Sequence, residues 1–141
     1  MKIWTNVTSE EVSPEPMRVA VADSYTCKER AAYVLFDIIV ARIEEDSDFA
    51  RSVWNDENHS DFKDYILGNE AVSKILEDDW VKGYFVERSE ERMRMPAIIK
   101  NAAREYIMDE LRRLECYFVC ITGGDVREYS FRIMGNNLEV I

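Results

Sequence analysis

The chain has 141 residues, of which 47% are hydrophobic and 33% charged, and its formal net charge is −10 at pH 7. The length fits one domain with a buried core, and the charge argues against direct binding to nucleic acid, whose phosphates would repel it. No signal peptide or membrane span is predicted, and the three cysteines show no disulfide spacing. We therefore expect a single domain, residues 1–141, in the cytoplasm (of the host cell if a phage encodes it).

Two strands and a helix are predicted for the first third of the chain. Residues 2–7 and 17–22 alternate as strands do, and the loop between them contains two prolines. Residues 26–29 have the pattern of a capping box, in which Thr26 and Glu29 cap the first turn of a helix. From residue 31 to 43 this helix is apolar nearly all round, so we expect it to be central and mostly buried.

The middle of the chain is predicted to be helical in pieces. Residues 47–54 form a short helix with Phe49, Val53 and Trp54 inward, and a polar turn follows at 55–60. A second helix runs to residue 67, where Gly68-Asn69 ends it, and a third covers 70–85.

A last helix and a C-terminal meander complete the prediction. Pro96 suits the first position of a helix that runs to about residue 115. Strands follow at 116–122, 126–134 and 138–141, with turns at 123–125 and 135–137. The predicted fold class is α+β: an antiparallel sheet of four to five strands, made by the two N-terminal strands and the meander, packed by about four helices.

Almost all of the net charge lies between residues 44 and 79, which we call the acidic segment. It holds twelve acids and three bases, whereas residues 89–141 hold nine acids and eight bases. Amphipathic helices that show acids to water would explain part of this excess. Concentrated like charge nevertheless destabilises a fold through self-repulsion, so the alternative is a negative face built to be bound.

The function predicted from this charge is that of a small inhibitor, not an enzyme. It would bind the basic nucleic-acid-binding surface of a host protein, such as a CRISPR effector or a restriction nuclease, by imitating phosphate charge. In size and charge the chain resembles the DNA-mimicking inhibitors that phages and mobile elements make against host nucleases. The predicted partner-binding residues are Glu44, Glu45, Asp46, Asp48, Asp56, Glu57, Asp61, Asp64, Glu77, Asp78 and Asp79, with Trp80 and Tyr84 as an aromatic anchor.

Two other functions stay open. The same acids would suit an immunity or antitoxin-like protein that neutralises a basic toxin. Asp37, inside the apolar helix, would need a partner if buried, and it could mark the pocket of a small enzyme. A basic strip that includes Arg94, Lys100 and Arg104 could pair with the chain's own acids or with a second copy, which leaves a homodimer open.

No cofactor or metal site is predicted. Asp46-Ser47-Asp48 begins like a calcium loop, but Arg51 and Ser52 follow where further ligands and a glycine are needed. His59, the single histidine, is expected to be solvated in its polar turn. Cys116 and Cys120 share one face of a strand and are expected to be buried as small apolar residues.

Overall fold

A computed structural model describes residues 2–12, 15–86, 94–113, 115–122 and 125–137. Its elements are β1 (Lys2–Val12), β2 (Arg18–Tyr25), α1 (Lys28–Glu45), α2 (Ser47–Asn55), a 3-10 turn (Glu57–His59), α3 (Ser60–Gly68), α4 (Glu70–Ser73), α5 (Asp79–Val86), α6 (Ala97–Arg113), β3 (Glu115–Thr122) and β4 (Asp125–Asn137). The fold is α+β with an antiparallel sheet, as predicted. It divides into two compact units, residues 1–38 with 107–141 and residues 39–106, whose boundaries fall inside α1 and α6.

The first unit contains the sheet, whose strand order is β2-β1-β4-β3. β1 pairs with β4 from Lys2↔Asn137 to Val12↔Arg127, so the N-terminal strands join the C-terminal pair in one sheet, as predicted. β1 is longer than expected, because residues 8–12, assigned to a loop, continue the ladder. The predicted strand at 138–141 lies outside the described residues.

The turn predicted at 135–137 is wrong, because β4 runs through these residues. Gly135 lies opposite Trp4 in the ladder, and a Cβ atom on Gly135 would lie 2.6 Å from Cζ3 of the indole. The ammonium groups of Lys2 and Lys28 lie over the same ring, 4.6 and 5.1 Å from its centroid. The glycine therefore makes room for a tryptophan inside a strand, where its sequence context resembles a turn.

Helical residues of the same unit pack on one face of this sheet. Nδ2 of Asn6, on β1, donates a hydrogen bond of 3.0 Å to the carbonyl of Ala31. Arg112 of α6 pairs with Glu29 of α1, and its guanidinium lowers the pKa of that carboxyl. The Glu29 carboxylate therefore pairs with another helix, and α1 begins at Lys28. The predicted capping box, in which Thr26 and Glu29 cap each other, is wrong for this reason. We call the sheet face that carries Asn6 the inner face and the opposite one the outer face.

The three thiols differ in burial, and the prediction made for Cys116 and Cys120 is confirmed. Cys116 and Cys120 are buried, whereas Cys27 is exposed. Burial, with the nearby Glu110 carboxylate, raises the pKa of Cys116 well above its ordinary value, which suppresses the reactive thiolate.

Thiol titration should separate these groups. We expect one thiol per chain to react rapidly with Ellman's reagent in the native protein, and the other two only after unfolding. Cys27→Ser should abolish the rapid reaction. Equal rates for all three thiols would contradict this burial.

The core of the second unit is aromatic. Trp54, 0% exposed, stacks on Phe62 with ring centroids 5.1 Å apart and meets Tyr84 and Phe85 edge-on at 5.7 and 5.2 Å. The indole Nε1 donates to the Tyr84 hydroxyl at 3.1 Å. Phe49, Val53 and Trp54 are all buried, as predicted for α2.

Two helical predictions need correction. The helix predicted at 70–85 is split into α4 and α5, and the carbonyl of Asp78 accepts the bond from the Lys82 amide that opens α5. Carboxylates are favoured at such a helix start, which explains why the acids at 77–79 interrupt the helix. α1 is not buried all round either: Tyr33 is 47% exposed and Asp37 is exposed.

Candidate partner-binding site

Three acids of the acidic segment have structural roles. The Asp46 carboxylate caps α2 by accepting from the amides of Asp48 and Phe49, both at 3.1 Å. The Asp56 carboxylate accepts from the Asn58 amide at 2.8 Å in the 3-10 turn. The Glu44 carboxylate accepts from the Met95 amide at 3.0 Å. All three side chains are half-buried, so part of the predicted partner-binding set stabilises local backbone instead.

The other predicted acids whose side chains the structure describes are solvent-exposed. They are Glu45, Asp48, Glu57, Asp61, Asp64, Glu77 and Asp78. Glu70, which the predicted set omitted, is exposed as well. The side chains of Asp79 and Trp80 lie outside the described part of the structure.

Nearby bases partly neutralise some of these acids. Arg51 lies 3.9 Å from Asp48, Lys74 lies 3.3 Å from Glu70, and Lys82 lies 3.1 Å from Glu77. These ion pairs are exposed, so each contributes little to stability.

Glu57, Asp61 and Asp64 form no ion pair with any residue that the structure describes, and we call these three residues the α3 ridge. Asp61 and Asp64 are three residues apart on α3, which places both on one helical face. Glu57 lies in the 3-10 turn that precedes this helix. The ridge therefore presents to solvent three carboxylates that are in no ion pair among the described residues, with Lys63 the nearest base along α3.

Tyr65 supplies an aromatic surface beside the ridge, and it was missing from the predicted set. It follows Asp64 on α3 and is 40% exposed. Its hydroxyl donates to Glu105 at 2.9 Å, and its ring lies 5.3 Å from that of Tyr106. Tyr65 lies four residues after Asp61, so both share one face of α3, and this spacing could have identified Tyr65 as a surface residue of the site.

Tyr84 does not belong to this surface. It is 1% exposed, and its hydroxyl accepts the bond from Trp54. The predicted aromatic anchor is therefore wrong for Tyr84, because its ring completes the core of the second unit.

His59 and Asp37 also differ from their predicted settings. His59 is 7% exposed, and its Nδ1 lies 2.8 Å from the carbonyl oxygen of Ser52, so the expectation of a solvated histidine is wrong. The 3-10 turn folds the imidazole back onto α2. Asp37 is exposed on α1, so it is not the buried carboxylate that would need a partner.

Two grooves lie in the first unit, on the sheet. One, of about 410 Å³, is lined by acids and by Arg18 and Arg127, so its charges are mixed. The other, of about 200 Å³, lies on the outer face and includes Tyr117 and Glu128. Burial, the hydrogen bond to Glu128, and the carboxylates of Glu11 and Glu115 raise the pKa of Tyr117 to about 12. Tyr117 therefore stays a neutral donor at physiological pH, and Asp37 lines neither groove.

Within the described ranges, no group of three or more His, Cys, Asp or Glu side chains is arranged to hold a metal ion. Among the described helices, none combines the length and the apolar character needed to cross a bilayer. No protein-family model matches the chain, and neither do the curated proteins or the solved structures with which it was compared.

Proposed function

We propose that this protein is a small acidic inhibitor that occupies the basic, nucleic-acid-binding surface of a host protein such as a nuclease or a CRISPR effector. The observation that supports this function best is the α3 ridge, where three exposed carboxylates form no ion pair with any described residue. Lys and Arg side chains that line a nucleic-acid groove bind phosphate charge largely without reading bases. A fixed row of carboxylates can compete for those side chains.

The arrangement around the ridge suits such a contact. Asp61 and Asp64 project from a regular helix, so their separation is set by the backbone. The Tyr65 ring is held by Glu105 and Tyr106, which reduces the entropy lost when a partner packs on it. An arginine of the partner could contact this ring while it pairs with a ridge carboxylate.

The test is capture of a partner from host lysate at low and high salt. We expect the immobilised protein to retain a nucleic-acid-binding protein at low salt and to release it when duplex DNA is added, because the two would compete for one surface. Charge-based contacts should also weaken as salt rises.

A pair of variants makes this test specific. The ridge variant carries Glu57→Gln, Asp61→Asn and Asp64→Asn, and we expect it to lose the captured protein. The matched control neutralises Glu15, Asp37 and Asp125, so its net charge is the same. Equal retention by the wild type and the ridge variant would contradict the proposal. A captured basic toxin that DNA does not displace would favour the antitoxin-like function instead.

A further inference from the structure

β2 is an edge strand whose exposed side carries little protection. In the described part of the chain, β2 pairs with β1 alone, so its other edge presents unpaired backbone groups. Edge strands are commonly blocked by lysine and other charges, by proline, by a bulge or by a covering segment. β2 has a bulge near its C-terminal end, so the unprotected part of its edge is the stretch before that bulge. Residues 18–25 contain no lysine or proline and only two charged residues, Arg18 and Asp23.

The outer face of this strand is apolar. Val19 and Val21 lie opposite Ser9 and Val7 of β1, which alternate with the inner-face residue Asn6, so both valines belong to the outer face. They are 56% and 68% exposed, the highest fractions among the large apolar residues that the structure describes. Residues 22 and 23 together oppose Asn6 as a bulge, which leaves residues 18–21 as the regular stretch.

We propose that β2 pairs with β2 of a second copy of this chain, antiparallel and centred on Ala20, so that the four described strands of each copy join in one continuous sheet across a two-fold axis. Directly opposite residues of an antiparallel pair lie on the same face. With this centre, Val19 of each copy lies opposite Val21 of the other, and the two Ala20 residues face each other without steric conflict. The pairing satisfies the outward-facing backbone groups of the regular stretch in both copies, and it brings four valines side by side on the outer face, which reduces their contact with water.

Charge supports a second copy as the occupant. With this centre, Arg18 of one copy lies opposite residue 22 of the other, and Asp23 lies beside that position because residues 22 and 23 share one place in the ladder as a bulge. Arg18 also lies 4.0 Å from Glu15 of its own chain in an exposed ion pair, which contributes little. The two contacts between Arg18 and Asp23 of opposite copies are equivalent by symmetry, as a two-fold interface requires. A single pair of strands is a small interface, so we expect a dissociation constant in roughly the micromolar range or weaker.

Sedimentation velocity over a concentration series should detect this dimer. Because each copy carries a net charge of −10, added salt should strengthen dimerisation by screening repulsion, whereas it should weaken the proposed binding to a basic partner. Val21→Lys should weaken dimerisation about tenfold or more, since it puts two lysines against valines. Val126→Lys alters a valine that is 42% exposed on β4, away from the β2 edge, and should leave dimerisation unchanged.

Cross-linking tests the register directly. Opposite residues of an antiparallel pair have Cα atoms about 4.5–5.5 Å apart, a distance that a disulfide can bridge. In a Cys27→Ser background, Ala20→Cys should form a disulfide-linked dimer on mild oxidation, and Val126→Cys should not. A monomer at every concentration, equal effects of Val21→Lys and Val126→Lys, or no cross-link through position 20 would each overturn the proposal. If a different protein occupies this edge in the cell, the purified chain should remain a monomer at every concentration.

Discussion

Replacing Trp54 with alanine should lower the free energy of unfolding by about 3–5 kcal/mol, the range for removal of a fully buried tryptophan. Trp54 is 0% exposed and contacts Phe62, Tyr84 and Phe85, so its removal leaves a cavity that these rings cannot fill without moving. The measurement is chemical unfolding followed by far-ultraviolet circular dichroism, which does not depend on the lost fluorophore.

One further variant at Trp54 and one control at a more exposed position help to interpret this result. Trp54→Phe keeps an aromatic ring but deletes the bond from Nε1 to Tyr84, so it should cost less than alanine. Tyr33→Ala removes a side chain that is 47% exposed, so it should lower the free energy of unfolding by clearly less than Trp54→Ala does. If Trp54→Ala cost no more than Tyr33→Ala, the aromatic core described for the second unit would be wrong.

Charge reversal of the α3 ridge should abolish partner binding while leaving the fold nearly unchanged. Lysine at positions 57, 61 and 64 turns three attractive contacts into repulsive ones, and we expect affinity for the captured partner to fall about 100-fold or more. The change in the free energy of unfolding should stay within about 1 kcal/mol. Attraction between the three introduced lysines and the remaining acids of the acidic segment offsets the loss of the favourable Asp61 carboxylate in the first turn of α3.

The matched control reverses Glu15, Asp37 and Asp125, which alters the net charge equally outside the acidic segment. Affinity should be measured by titration calorimetry at two salt concentrations, with thermal unfolding of each variant alongside. Comparable losses of affinity in both variants would mean that total charge, not the ridge, governs binding. A large loss of stability in the ridge variant would show that these acids support the fold instead.

Local signals predicted much of the helical structure. α2 has a clear apolar face, and α3 ends beside the Gly68-Asn69 pair, so both helices were predicted within two residues. Apolar and polar residues also alternate along the strands, which allowed the strands to be predicted. Their joining into one sheet was a hypothesis, because pairing between residues more than 100 positions apart leaves no local mark on either strand.

The errors have a common physical origin, since each involves a residue whose neighbour is distant in sequence or folded back by a turn. Gly135 resembles a turn residue until Trp4 is placed against it. His59 is polar and lies between acids, yet the 3-10 turn directs it to Ser52. Tyr84 was predicted at the surface and Tyr65 was left out, because nothing in the sequence shows which aromatic ring packs against Trp54 and which stays exposed.

The candidate site was predicted only in part. Charge alone identified the acidic segment, but it could not separate capping acids such as Asp46 from the unpaired ridge. That distinction depends on which backbone amides lack a partner at each helix start, and on where Arg51, Lys74 and Lys82 lie.

The pairing of β1 with β4 has a consequence for the order of synthesis. β1 lies between β2 and β4, and about 110 residues separate it from the strand that completes its ladder. At the usual rate of translation, of about 5–20 residues per second, β1 emerges from the ribosome several seconds or more before β4. All of residues 39–106 are translated in that interval. Residues 39–106 are therefore complete on the nascent chain while the edge of β1 that β4 later fills is still unpaired, and such an open edge is a site for wrong pairing with other chains.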